Sequence, residues 1–116
     1  MKILIVDDSS YRRNIIRAAL EANGFIVSGE VGSGDAAIDM IEELQPDIIT
    51  LDHILPDMTG IDILKTIQPE KKPYIIMIST AGQKSVMEEA LQLGARHYLV
   101  KPFNYGELIE IIKKAG

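Results

Sequence analysis

The chain has 116 residues, with 12 lysines and arginines against 17 aspartates and glutamates, a formal net charge of −5 and no cysteine. That length suits one domain burying a single core without staples. The missing thiols exclude disulfides, thiolate metal sites and cysteine nucleophiles, and fit a reducing compartment, so a cytoplasmic protein is expected. The acidic balance argues against nucleic acid as a direct ligand and for a cation or a basic partner surface, while no apolar run approaches the ~20 residues of a membrane span and Lys2 opens no signal-peptide core.

Ile3 to Val6 is a continuous apolar run ending in Asp7 and Asp8, the pattern of a buried strand with an acidic tip. Ser9 or Ser10 is a plausible N-cap for a helix carrying Ile15, Ile16, Ala19 and Leu20, which Gly24 ends. Phe25 to Val31 alternates as a strand. Gly32-Ser33-Gly34 then breaks it before a helix with Ala37, Ile38, Ile41 and Leu44, stopped by Gln45-Pro46. Ile48, Ile49 and Leu51 form a short apolar strand closed by Asp52, and Pro56 to Gly60 is a turn-rich loop. Thr59 caps a short helix bearing Ile61, Leu64 and Ile67, with Pro69 as its stop. Tyr74 to Ile78 is a third uninterrupted run, closed by the hydroxyls of Ser79 and Thr80. A helix from about Gln83 carries Val86, Ala90, Leu91 and Leu93 up to Gly94; Tyr98 to Val100 is a short strand leading into Lys101-Pro102-Phe103. Asn104 and Glu107 have capping-box spacing for a last helix with Leu108, Ile109, Ile111 and Ile112.

Five strands alternating with five helices predict an α/β fold of one domain over residues 1–116: a doubly wound (βα)5 flavodoxin-like sandwich around a five-stranded parallel sheet. The strand order 2-1-3-4-5 is borrowed from other doubly wound sheets, since nothing in the residues themselves selects it. In that order the first and third strands flank the switch point. Asp7, Asp8 and Asp52 then meet in one cleft at the carboxyl edge, with Ser79 and Lys101 at neighbouring strand ends. Three crowded carboxylates call for a cation, and an all-oxygen ligand set selects a hard ion such as Mg²⁺. A carboxylate can also attack phosphorus, with Lys101 and the Ser79 hydroxyl placed to contact the oxygens of a phosphoryl group on Asp52.

Ile-Val-Asp-Asp at 5–8, Leu-Asp-His-Ile-Leu-Pro-Asp-Met-Thr-Gly at 51–60, Ile-Ser-Thr-Ala at 78–81 and Val-Lys-Pro-Phe at 100–103 resemble the receiver domain of two-component response regulators along the whole chain. The resemblance implies Asp52 as phosphoacceptor, Asp7, Asp8, Asp52 and the Ile54 carbonyl as Mg²⁺ ligands, Ser79 as switch hydroxyl, Tyr98 as switch aromatic and Lys101 as the phosphate-contacting lysine. It also implies a cis peptide before Pro102. The expected function is a stand-alone response regulator that takes a phosphoryl group from a histidine kinase or phosphotransfer protein, catalysing its own phosphorylation and dephosphorylation without being a metabolic enzyme. Because the chain ends at Gly116, output is expected through contact of the face around the fourth helix, fifth strand and fifth helix with a protein target, in chemotaxis-type signalling; a monomer or weak dimer is expected. The alternative is a phosphorelay intermediate or a receiver from a longer regulator. Thr80 departs from the small residue usual at its position. Ile54 and Ala81 offer no polar side chain to hold a hydrolytic water, so slow loss of the phosphoryl group is expected.

Blander readings apply to single residues. An isolated Asp-Asp pair is ordinarily a solvated loop; its coincidence with Asp52, Ser79 and Lys101 favours the cleft. His53 is expected against a helix or solvent, and His97 on the surface. Tyr98 is either a switch or a half-buried strand aromatic with a wet hydroxyl. Arg12 and Arg13, on the first helix near the cleft, belong to a solvated face or to a partner-docking surface. Two other activities fit less well: a phosphohydrolase of the haloacid-dehalogenase type needs an aspartate where Ile54 stands, and a flavin-binding flavodoxin would not open its phosphate loop with two carboxylates.

Overall fold

The computed structural model describes residues 1–68, 70, 73–80 and 84–115. Pro69, Ala81, Gln83 and Gly116, on which sequence expectations fall, lie outside them. Five strands, β1 (Ile3–Val6), β2 (Val27–Val31), β3 (Ile48–Asp52), β4 (Tyr74–Thr80) and β5 (His97–Lys101), alternate with α1 (Ser10–Ala22), α2 (Gly34–Leu44), α3 (Gly60–Thr66), α4 (Lys84–Gln92) and α5 (Tyr105–Ala115). All four strand pairings are parallel, and the order is β2-β1-β3-β4-β5. The apolar runs β1 and β3 are buried along their whole length because helices cover both faces of a parallel sheet.

Alternation along the strands divides the core. Leu4, Val6, Ile49, Leu51, Ile75 and Met77 pack with Ala37 of α2, Ile61, Ile63 and Leu64 of α3, and Ala90 of α4. Ile3, Ile5, Ile48, Ile76, Ile78 and Leu99 pack with Ile16 and Leu20 of α1 and with Leu108, Ile109 and Ile112 of α5. The fold is therefore doubly wound, with α1 and α5 on one face and α2, α3 and α4 on the other. Register fixes the edge that matters: Val6 lies opposite Leu51, Asp52 opposite Ile78, and Thr80 opposite Lys101. The residues following β1 and β3 thus emerge side by side at the switch point.

Several boundaries differ from expectation for local reasons. Phe25 does not begin β2: its N–H bonds to the Leu20 carbonyl while that of Gly24, at φ 84°, bonds to Glu21, a left-handed closure that belongs to the end of α1. β4 runs past Ile78 through Ser79 and Thr80, and β5 from His97 to Lys101, because the two strands hold each other in register to Thr80 and Lys101. The expected capping box at α5 is replaced: Asn104 Oδ1 accepts from Gly106 N at 2.7 Å, and Glu107 N bonds to the Asn104 carbonyl. Thr59 does form a reciprocal cap, with Asp62, and Ser9 caps α1. The Lys101-Pro102 peptide is cis.

Candidate functional site

The carboxyl ends of β1 and β3 bring Asp7, Asp8 and Asp52 together, with an oxygen of each within 4.8 Å of the others. Asp7 and Asp52 are 2% and 3% exposed, whereas Asp8 faces solvent. A close set of carboxylate oxygens, partly dry and open on one side, fits a hard divalent cation of the Mg²⁺ kind. From the other side Lys101 Nζ donates to Asp52 Oδ1 at 2.9 Å. Burial pushes the Asp52 carboxyl above the ordinary carboxylate value, the Lys101 hydrogen bond and charge oppose that rise, and the nearby charge of Asp7 adds to it.

Arg12, on the first turn of α1, enters this cluster. Its Nε donates to both oxygens of Asp7, at 3.2 and 3.0 Å, and one terminal nitrogen to Asp8 Oδ1 at 3.1 Å. The same nitrogen lies 3.7 Å from Asp52 Oδ2. The hydrogen bond to Asp7 holds the guanidinium even more firmly protonated than usual. Asp7 Oδ1 also accepts from Ser9 N at 2.9 Å. Arg13 takes another course, to Glu30 at 3.1 Å and the Asp7 carbonyl at 2.6 Å, and Arg17 also pairs with Glu30. A Cβ on Gly32 would stand 2.9 Å from the Arg13 guanidinium, so that glycine leaves the arginine its path. The two adjacent arginines, chemically alike, have different partners.

The loop after β3 is clamped from two directions. Asp57 accepts from Gly34 N at 2.7 Å and Asp35 N at 2.9 Å, tying the loop to the N-terminus of α2, and these bonds hold its carboxyl below the usual value. A Cβ on Gly60 would meet Met77 Sδ at 2.9 Å and the Asp52 carbonyl at 3.2 Å; glycine lets α3 start directly under the strand end, where its N–H reaches the His53 carbonyl at 2.6 Å. Ile54 lies on this loop, bridged to Thr59, with its side chain exposed.

Ser79 is buried at the end of β4, and its hydroxyl has no hydrogen-bond partner among the described residues; the same holds for the hydroxyl of half-buried Tyr98. The Tyr98 hydroxyl is therefore not wet, as a surface strand aromatic would have it. Thr80 is exposed. His53 is buried, and desolvation holds its imidazole below the usual pKa against the charges of Asp52, Asp62 and Glu89. His97 is exposed beside Tyr74, ring centroids 6.0 Å apart. Sequence reasoning missed Arg12 and Asp57 as parts of the site. The position of Arg12 four residues after Asp8 was a usable signal; nothing local links Asp57 to the α2 N-terminus.

Comparison with known proteins agrees with this geometry. The response regulator receiver domain family matches residues 3–113. The chemotaxis protein CheY of Bacillus subtilis is 41% identical over 114 residues, 97% of this chain and 95% of that protein. CheY of Thermotoga maritima is 36% identical over 99% of this chain and 97% of its own length. Among solved structures, the CheX-CheY-BeF3-Mg²⁺ complex of Borrelia burgdorferi aligns with a TM-score of 0.91 at 28% identity, over 98% of this chain and 87% of that one. In sequence, strand order and the acidic cleft at the switch point, the chain belongs to the family of response regulator receiver domains.

Proposed function

We propose that the chain, over residues 1–116, works as a CheY-like response regulator that accepts a phosphoryl group on Asp52 from the phosphohistidine of a kinase or phosphotransfer protein and then changes its affinity for a protein target, in chemotaxis-type signalling in the cytoplasm. The observation that carries it is the setting of Asp52, with one oxygen on Lys101 and the other turned toward the Asp7 and Asp8 side of the cluster. An Asp52 oxygen attacks phosphorus; the O–P bond forms as the P–N bond to the donor imidazole breaks, and the leaving nitrogen takes a proton from solvent. Lys101 loses its carboxylate partner and turns to the phosphoryl oxygens, and the Ser79 hydroxyl, unpartnered among the described residues, supplies a donor to the same group. Asp8, Asp52 and the Ile54 carbonyl, with Asp7 acting through water, would hold Mg²⁺, which supplies positive charge against the phosphoryl oxygens. Withdrawal of Ser79 toward that group makes room for Tyr98 to reposition, altering the face of α4, β5 and α5, where Leu91 and Val100 are exposed.

The near-complete coverage of two CheY proteins supports a chemotaxis-type regulator, and the Borrelia CheY in complex with CheX, BeF3 and Mg²⁺ supports the cation and a protein target. No helix among the described residues is long and apolar enough to cross a membrane. Incubation with acetyl phosphate and Mg²⁺ followed by intact mass should add one phosphoryl group to the wild type and none to Asp52→Asn. A phosphorylated Asp52→Asn protein would overturn the assignment.

A further inference from the structure

The acidic cluster already contains a cation of the chain's own. Arg12 donates to Asp7 and Asp8 and comes within 3.7 Å of Asp52, so one planar guanidinium reaches all three carboxylates. Lys101 takes the remaining Asp52 oxygen. Three negative charges are thus met by two fixed positive ones. The Arg12 side chain is 39% exposed on the first turn of α1, free on its outer side, so it has a route out of the cluster that needs no movement of the helix. Neither of its neighbours does this, since Arg13 is fixed on Glu30 and the Asp7 carbonyl, and Tyr11 is exposed.

We infer that Arg12 is a tethered counter-ion which a divalent cation must displace from Asp7, Asp8 and Asp52, so that the chain sets the affinity and occupancy of its own metal site through competition with one side chain. This rests on the reading of the cluster as a divalent-cation site. The guanidinium and the metal call on the same oxygens and repel each other, so they do not share them. Apparent affinity for the metal is the intrinsic affinity multiplied by the fraction of molecules in which Arg12 is out. A closed form favoured about tenfold weakens binding about tenfold, which is about 1.4 kcal/mol. Metal entry also releases a guanidinium at the mouth of the cleft, beside the Asp52 oxygen that faces it.

The test is calorimetric titration of the full chain, stripped with EDTA, with Mg²⁺ and with Mn²⁺, in the wild type, Arg12→Met, Arg12→Lys and Lys113→Met. Arg12→Met keeps the length of the aliphatic stem and the helix propensity, loses the guanidinium and should bind about tenfold more tightly; Arg12→Lys, which cannot span three carboxylates, should fall between. Lys113→Met makes the same change in net charge on α5 and should match the wild type. In the wild type the Arg12 Nε–H resonance should be protected in EDTA and lost to solvent exchange at metal saturation. If the wild type binds metal and Arg12→Met binds no more tightly, or the Nε–H signal persists unchanged at saturation, the competition is refuted while the metal site stands. If neither protein binds Mg²⁺ or Mn²⁺, the cation reading falls and this inference falls with it.

Discussion

The two sides of the sheet's carboxyl edge are built on opposite terms. On the side of α1 and α5, where alternation turns Asp7, Asp52 and Lys101, the buried carboxylates have close charged partners within the chain. On the side of α2, α3 and α4, the Ser79 and Tyr98 hydroxyls and His53 Nδ1 are buried without a partner among the described residues. Among the described residues, Thr50 Oγ1, deeper in β3, is the one such atom on the first side. A buried polar group with no partner costs free energy that a paired one does not. In the proposed switch the carboxylates of the first side are therefore finished in the resting state, whereas the second side would gain once a new charged acceptor arrives. A switch needs that asymmetry, because a ligand shifts an equilibrium only by what it offers one state and not the other.

The largest expected effect comes from breaking the finished side. Lys101→Met keeps the stem and removes the bond to Asp52 Oδ1. Removing one donor aimed at charge that develops in the transition state costs about 10²–10³ in rate. The rate of phosphoryl gain from acetyl phosphate should fall by about that factor, with far-ultraviolet circular dichroism unchanged; a rate near wild type would mean that Lys101 plays no part in the transfer.

A smaller effect comes from relieving the unfinished side. Ser79→Ala and Tyr98→Phe each remove a buried hydroxyl without a partner among the described residues, so each should stabilise the resting protein by about 1 kcal/mol, or about 4 °C in Tm for a domain of this size. The same substitutions should weaken the phosphorylated state relative to the resting one, visible as a smaller chemical-shift change on phosphorylation around β5. Destabilised resting proteins would show that these hydroxyls are already satisfied, and the asymmetry would be gone.

Four of the strands, their alternation with helices and the placing of Asp7, Asp52, Ser79 and Lys101 at one edge are legible in sequence because a buried strand leaves an apolar run, and those runs end in these four residues. What stays hidden is decided across the fold. Whether Phe25 begins a strand depends on the Leu20 carbonyl, and whether β4 ends at Ile78 depends on how far β5 keeps register. Arg12 and Arg13 are chemically alike and adjacent; a turn of about 100° about the helix axis sends one to the carboxylates and the other to Glu30. Asp57 reads as a turn aspartate until α2 is folded beside it.

The smallest expected effect sharpens the comparison within β3 and its first loop residue, since Asp52 and His53 are neighbours that alternation turns to opposite sides. Burial raises the Asp52 carboxyl above its ordinary 3.8, so the folded chain holds that proton more tightly than the unfolded one, and stability falls as pH rises from 3.8 through the folded value. Burial lowers the His53 imidazole below 6.5, so its contribution is complete above 6.5 and is lost as pH falls from there toward the folded value. The slopes have opposite signs. In EDTA, Tm measured across this range should show Asp52→Asn gaining on the wild type as pH rises toward neutrality. His53→Leu should gain on the wild type as pH falls below 6.5, and His97→Gln, which alters an exposed ring, should follow the wild type throughout. Differences that do not change with pH, or that both run the same way, would mean that the two side chains share one environment and that the edge of the sheet is not divided between them.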